Sequence, residues 1–446
     1  MLFRSHNDEL FLSKGYGQKD AASGAAYTAG TVQSAASISK IATATAAMQL
    51  YKAGSLYLDA DIEDIVDGLA LDNPFDVAVT PRMLMTHTAG FDEWTIAFLV
   101  REPEDLGSLR SFMLAHTPPV VREPGTTVCY SNHGVSLLGL VVETVSGVPF
   151  NDYVKDNVLT PLGMADSSFL YTEIDEGKLA TPYDGRGALT KRALMRVGPA
   201  GNLYSSATDL SKLLRAHIGG GTWDDNGTAR KVLESATATL MHATAWEPWL
   251  GADVPCIALQ WYETPWGGYD MLTHDGDMPG GSSRMTYMTE NGWGFVLMYN
   301  EMEGTVRANF TRDFMTEFFG DRVPDPAPAP LEPVDEYRAR AGEYAGYVRE
   351  TRISHTSFQF LIQSLVMSLP LYTSSVEGEL VLGAMETVET RDHIFETREY
   401  SPDRMSFAFQ TKDNAGETLT AAVVSIDTIE YIPVSRTPPI AILYMV

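Results

Sequence analysis

Ser37 and Lys40 stand three residues apart at the head of residues 37–54, a spacing at which a serine can be made nucleophilic. On a helix, positions i and i+3 share a face. A serine hydroxyl attacks a carbonyl only after a neighbouring base has taken its proton. A lysine can be that base when burial or positive neighbours lower its pKa. The N-terminus of a helix adds two effects. Its unpaired N–H groups can meet a developing oxyanion, and its partial positive charge disfavours an extra proton on Lys40. The same spacing also arises from an N-cap serine beside a solvated lysine, and these two residues alone leave both readings open.

A second pair, Tyr130 and Asn132, lies in the turn-rich stretch 124–133. A phenol can shuttle a proton, and an amide can hold both a lysine and a substrate carbonyl. Read alone, the pair is equally a turn before a helix. A third group, His274-Asp275-Gly276-Asp277, follows directly on a strand-like run. His217-Ile218-Gly219 has the same His-x-Gly form but closes a helix, and it reads as an ordinary C-terminal histidine.

The elements that must carry these residues can be read from pattern. Residues 38–52 contain neither Gly nor Pro and are rich in Ala, with Gly54 where a left-handed cap belongs, so a buried helix is expected. Residues 1–15 read as a strand hairpin. Residues 83–90 read as a helix stopped by Gly90, and further helices are expected over 105–115, 134–145, 150–158, 210–217 and 306–319. Strands are expected at 258–263, 269–273, 284–289 and 293–299, joined as antiparallel neighbours. Residues 324–333 alternate Pro with Ala and acidic residues and read as an extended linker. Beyond it, short strand-like runs at 344–349, 358–369, 380–383, 394–398, 405–410, 418–425 and 428–433 suggest a small antiparallel barrel-like unit. The fold class is therefore α+β.

At 446 residues the chain exceeds one hydrophobic core, so two or three units are expected. Its formal charge of −26 argues against nucleic acid and anionic membranes as partners. No apolar run approaches the length of a membrane span. Two cysteines, Cys129 and Cys256, imply neither a disulfide framework nor a thiolate metal site, and whether they pair is open. No charged-then-apolar leader opens the sequence. A cytoplasmic protein is expected, or a periplasmic or secreted one if a leader precedes it.

Ser37-x-x-Lys40, Tyr130-x-Asn132 and His274-x-Gly276, in that order, resemble the serine β-lactamase and penicillin-binding-protein superfamily. The branch most similar holds class C β-lactamases, D-aminopeptidases, DD-peptidases and related esterases. The flanking stretches 34–41, 84–90, 199–209 and 280–284 agree with it. The resemblance covers roughly residues 9–320. It implies a β-lactamase/transpeptidase-like domain over 1–322, with an antiparallel sheet flanked by helices and a helical part at about 60–200. A linker over 323–335 and a barrel-like domain over 336–446 would follow. It also implies roles: Ser37 as acylated nucleophile, Lys40 and Tyr130 sharing its proton, and Asn132 orienting substrate and Lys40. His274 and Gly276 would border the substrate, and the backbone N–H groups of Ser37 and Asp277 would form the oxyanion hole. The third motif departs from the pattern, with His274 where β-lactamases carry lysine and Asp275 where a hydroxyl is common. The sequence also starts almost on its first strand, where relatives have a preceding helix.

The expected function is a metal- and cofactor-free serine hydrolase acting on an amide or ester of a small molecule or short peptide. A carboxylesterase or peptidase/amidase is the first reading, and a true β-lactamase or DD-carboxypeptidase the second. A non-hydrolytic penicillin receptor or scaffold is the reading of another class. Zinc chemistry through His87, His133 and His274 is disfavoured by their spacing. His274 is expected to be mostly neutral at pH 7 unless Asp275 and Asp277, adjacent in sequence, raise its pKa, and their negative charges are expected to repel substrate carboxylates.

Overall fold

The computed structural model describes residues 2–4, 9–94, 98–246, 257–322, 330–332 and 334, and, beyond these, eight strands between 346 and 431. Strands β1 (Leu2–Arg4), β2 (Glu9–Leu12), β3 (Tyr262–Glu263), β4 (Met271–Met278), β5 (Gly281–Met288) and β6 (Trp293–Tyr299) form one antiparallel sheet in the order β3-β4-β5-β6-β1-β2. The N-terminal hairpin thus docks on β6, and β4 runs through the chemically interesting edge of the sheet. The chain just before helix α1 (Ser39–Lys52) meets β5, where Ser283 Oγ donates to the Ala35 carbonyl, and α5 (Ala207–Ile218) lies near β6, where a side chain on Gly294 would meet Ile218. One face of the sheet carries α6 (Thr305–Phe319), whose Phe314 and Phe319 pack with Phe295, Met271 and Trp266. Between these helices are α2 (Pro81–Met85), α3 (Leu109–His116) and α4 (Asn132–Ser146).

Helix α1 needs no amphipathic stripe, because every residue from Ser39 to Met48 is buried. A helix apolar on all sides belongs inside, and Ile41 and Met48 each contribute about 1.5–3 kcal/mol by leaving water. Gly54 takes the left-handed conformation expected of it. Ser37 itself lies just before α1, on the single 3₁₀ turn Ala36–Ile38.

Three local expectations are corrected. Helix α2 starts earlier than expected, with Thr80 as N-cap and Pro81 at its first position, and stops at Met85 rather than at Gly90. Its left-handed terminal residue is His87 (φ 56°), and the Thr88 N–H returns to the Met83 carbonyl at 2.9 Å. Helix α4 begins at Asn132, not Gly134, because Ser131 Oγ accepts the Gly134 N–H at 3.0 Å as N-cap. His274 to Asp277 are not beyond a strand but inside one. β4 pairs residue by residue with β5, and the reversal falls on Pro279 and Gly280. Asp and Gly are poor strand formers, yet here Asp275 faces Arg284, Gly276 faces Ser283, and Thr273 faces Thr286 across the ladder.

The C-terminal strands are Gly346–Glu350, Leu371–Val376, Glu379–Leu382, Met385–Arg391, Ile394–Thr397, Ser406–Asn414, Glu417–Val424 and Asp427–Tyr431. Each pairs antiparallel with the next, and the first also pairs with the last, so the sheet closes on itself. That is the barrel-like unit expected, with Leu371–Val376 and Met385–Arg391 as strands in addition to the expected ones. The strand expected at 358–369, most of the linker at 323–335 and Cys256 lie outside the described residues. Among the described residues no single helix is long and apolar enough to cross a membrane.

Candidate active site

The 3₁₀ turn that presents Ser37 is held at both ends. The Ala35 N–H donates to the Leu203 carbonyl at 2.8 Å, and Ser283 Oγ donates to the Ala35 carbonyl at 2.8 Å. Ser39 Oγ donates to the Ala36 carbonyl at 2.5 Å and accepts the Leu203 N–H at 2.9 Å. Ala36 is left-handed, with φ 48°. A β-carbon there costs on the order of 1 kcal/mol, which the surrounding bonds must offset.

One turn on, Lys40 is fully buried, and its Nζ lies 3.0 Å from Ser37 Oγ, 2.9 Å from Asn132 Oδ1 and 2.7 Å from the Ala200 carbonyl oxygen. Amide and carbonyl oxygens only accept hydrogen bonds. Two of the amine's tetrahedral directions are therefore committed to N–H donors, and the third points at Ser37. In that direction Lys40 donates when charged and offers its lone pair when neutral. Ala200 is brought in by the 3₁₀ turn Gly198–Ala200, which is pinned by Thr43 Oγ1 donating to the Pro199 carbonyl at 2.7 Å. Helix α4 can approach that turn because Gly139 has no side chain: a β-carbon would lie 2.5 Å from Pro199 Cβ.

Tyr130 completes the group around Ser37, its hydroxyl donating to Ser37 Oγ at 2.8 Å. Lys40 Nζ lies 4.9 Å from the centre of the Tyr130 ring, so a charged lysine also gains from the ring face. The imidazole of His87 lies against the same ring, with centroids 4.5 Å apart and planes inclined by 35°. Its Nδ1 accepts the Ser131 N–H at 3.2 Å, and its carbonyl accepts the Cys129 N–H at 2.7 Å.

β4 forms the opposite wall. A β-carbon on Gly276 would strike the Ser283 hydroxyl and stand 2.5 Å from the Ala35 carbonyl oxygen and 3.0 Å from the Ser37 nitrogen. Only glycine lets the strand come this close to the nucleophile. β3 covers β4 at Leu272 and Thr273. Met271 turns its carbonyl toward the β3 side, where it accepts from the Thr264 N–H. Hydrogen bonding alternates along an antiparallel strand, so the N–H of Asp277 faces the same way.

His274 is buried and uncharged. Burial, and secondly the positive charge of Lys40, lower its pKa from 6.5 to about 3. Nδ1 faces the Asp275 carbonyl at 2.7 Å and so carries the proton, which leaves Nε2 to accept from the Tyr262 hydroxyl at 2.9 Å. The expected influence of Asp275 and Asp277 is corrected. Side chains alternate across a strand, and both carboxylates lie on the reverse face. Asp275 takes a two-pronged bond from Arg284 at 2.7 Å for each prong, and Asp277 takes one from Arg307 at 2.6 Å for each. Arg307 also reaches Asp275 at 3.2 Å. The carboxylates are neutralised away from the cleft, and burial outweighs what Asp275 adds to the His274 pKa.

The structure thus brings Ser37, Lys40, Tyr130 and Asn132 into direct contact and sets Gly276 against the Ser37 turn. His274 lies near enough for the charge of Lys40 to act on it, and the Asp277 side chain points away to Arg307. Sequence reasoning missed Ala200, Ala36, Tyr262 and the contacts of His87. The first two act through backbone, for which an alanine carries no signal. His133 and His217 lie elsewhere. His133 packs among Trp94, Phe112 and His116, and burial holds its pKa at about 4. His217 is no ordinary helix-end histidine: it is buried, between Thr45 Oγ1 at 3.2 Å and His242 Nε2 at 2.9 Å.

The sequence model of the Beta-lactamase family matches residues 4–318. Penicillin-binding protein 4 of Amycolatopsis lactamdurans is 29% identical over 70% of this chain and 83% of its own length. A human β-lactamase-like protein is also 29% identical, over 66% of this chain and 59% of its own length, so the chain spans less than two thirds of that relative. Among solved structures, the octameric penicillin-binding protein homologue from Pyrococcus abyssi aligns over 96% of this chain and 94% of its own, with 22% identity and a TM-score of 0.60. The D-amino acid amidase of Ochrobactrum anthropi aligns over 68% and 85%, with 21% identity and a TM-score of 0.53. At these identities the two structures speak for the fold.

Proposed function

The chain belongs to the Beta-lactamase family, and from that premise we propose that it is a serine hydrolase cleaving a neutral ester, or an amide bearing a free amine, through an acyl-enzyme on Ser37. The observation that carries this reading is the double contact on Ser37 Oγ, with Lys40 Nζ at 3.0 Å and the Tyr130 hydroxyl at 2.8 Å. Ser37 Oγ attacks the carbonyl carbon, and its proton passes to whichever of Lys40 and Tyr130 is deprotonated. The Ser37 and Asp277 N–H groups receive the oxyanion. Tyr130 returns a proton to the departing alcohol or amine, leaving the acyl group on Ser37. Water, deprotonated by the same pair, then attacks the acyl carbon and releases the acid.

The substrate class follows from His274. A lysine at that place would present a fixed positive charge suited to a carboxylate, whereas a buried neutral imidazole does not. The test is a screen of the purified chain against p-nitrophenyl esters, D-amino-acid amides and a chromogenic cephalosporin, with Ser37→Ala and fluorophosphonate labelling alongside. Turnover and labelling that both vanish in Ser37→Ala support the reading. Full labelling in that variant places the nucleophile elsewhere. A burst without steady turnover favours a penicillin receptor instead.

A further inference from the structure

His87 occupies a place where the chain would more cheaply put glycine. It is the left-handed residue that ends α2, a conformation in which a β-carbon is disfavoured. Histidine is among the few residue types found there with any frequency. What the side chain obtains in exchange is contact with one short segment. Its carbonyl holds the Cys129 N–H, its Nδ1 holds the Ser131 N–H, and its ring lies along the ring of Tyr130. Residues 129, 130 and 131 are each held by a different part of His87.

The chemistry of these contacts constrains the imidazole. A backbone N–H pointing at Nδ1 requires a lone pair there, so the ring hydrogen of neutral His87 sits on Nε2. Tyr130 precedes the N-cap of α4 and is in no regular element, so the backbone ladders that fix a strand or helix do not set its position. Its hydroxyl must nonetheless stay at hydrogen-bond distance from Ser37 Oγ, and displacement of a catalytic group by about 1 Å can cost on the order of a hundredfold in rate.

We propose that His87 is the positioning residue for Tyr130, clamping the segment 129–131 so that the phenol stays on Ser37; this rests on Ser37 being the nucleophile. In this role His87 acts through Tyr130.

The test is a double-mutant cycle read as the rate of fluorophosphonate labelling of Ser37 in the full chain. His87→Gly removes the ring and the acceptor while keeping the left-handed backbone unstrained. It should slow labelling about tenfold when Tyr130 is present, and less than about twofold in a Tyr130→Phe background. His87→Asn tolerates the same backbone and offers an acceptor to the Ser131 N–H, so it should recover most of the loss. A merely structural residue would cost the same factor in both backgrounds, and that outcome overturns the proposal. So does labelling of His87→Gly at the wild-type rate. If His87→Gly does not fold by circular dichroism, His87→Ala, which likewise lacks the ring and the acceptor, decides in the two backgrounds by the same criterion, with a loss confined to the Tyr130 background expected. Wild-type protein that is not labelled at Ser37 overturns the nucleophile assignment, and this proposal with it. Failure of the proposal alone leaves wild-type labelling and its loss in Ser37→Ala intact.

Discussion

The hydroxyl of Tyr262 lies 2.9 Å from Nε2 of His274, whose other ring nitrogen meets the Asp275 carbonyl at 2.7 Å. Both ring nitrogens are therefore engaged by groups that agree on one neutral tautomer. A second proton would have to displace the Tyr262 hydrogen bond inside a buried site.

A flat selectivity profile follows. With the His274 pKa at about 3, the imidazole does not titrate between pH 6 and 8. The ratio of kcat/KM for a neutral ester to that for a penicillin should favour the ester across this range and stay constant. A penicillin that wins by a wide margin throughout would restore a β-lactamase and refute the assignment of substrate class.

Tyr130→Phe should lower kcat/KM by about 10²–10⁴-fold, the usual worth of a positioned proton-transfer group. The melting temperature should change little, because the ring and its contact with His87 remain. A wild-type rate would remove Tyr130 from the mechanism.

Gly276→Ala should impair both folding and labelling. The added methyl has no room between Ser283, the Ala35 carbonyl and the Ser37 nitrogen, and overpacking of this kind costs about 1–3 kcal/mol. The strand or the nucleophile's turn must give way. Unaltered labelling with an unaltered denaturation midpoint would show that β4 can retreat without disturbing Ser37.

Acid sensitivity is expected from the pair His217 and His242. Thr45 Oγ1 donates to the Ile41 carbonyl at 2.8 Å, so it accepts from His217 Nε2. His217 Nδ1 is then a bare acceptor for the Nε2 hydrogen of His242 at 2.9 Å. Both rings are neutral. Burial, with His242 beside it, lowers the pKa of His217 well below 6.5, and burial lowers that of His242 to about 4. The unfolded chain, with histidine pKa near 6.5, binds more protons between those values. Stability is therefore complete above pH 6.5 and falls as pH drops toward 4, by on the order of 3 kcal/mol for His242, with His217 acting in the same direction. Denaturation midpoints measured over that window should show the slope, and His242→Gln should reduce it. An equal slope in the variant would rule the pair out as its source.

Much of the site's geometry could be read from the sequence, because Ser37, Lys40, Tyr130 and Asn132, whose side-chain types suggest acyl transfer, do come together. What escaped notice acts through backbone or through position. Ala200 offers only a carbonyl, and Ala36 only a dihedral angle. His87 was read as one residue within a helix ending at Gly90, when it is itself the left-handed end. Sequence pattern ends the strand before His274 at Thr273, because Asp-Gly-Asp has the composition of a turn. Its pairing is secured instead by partners on β5 and α6, Arg284 and Arg307, which no local pattern in residues 274–277 reveals.

The alternation along β4 separates two properties that are usually entangled in enzyme engineering. Substitutions at Asp275 and Asp277 fall on the ion-paired reverse of the sheet and should register as changes in salt tolerance and thermal resistance. Those at His274 fall on the cleft. A library built to admit anionic compounds to the cleft can therefore leave the odd-numbered positions untouched and keep the fold's robustness. One built for harsher conditions can vary the Arg284 and Arg307 partners without changing the side chains on the cleft face of β4.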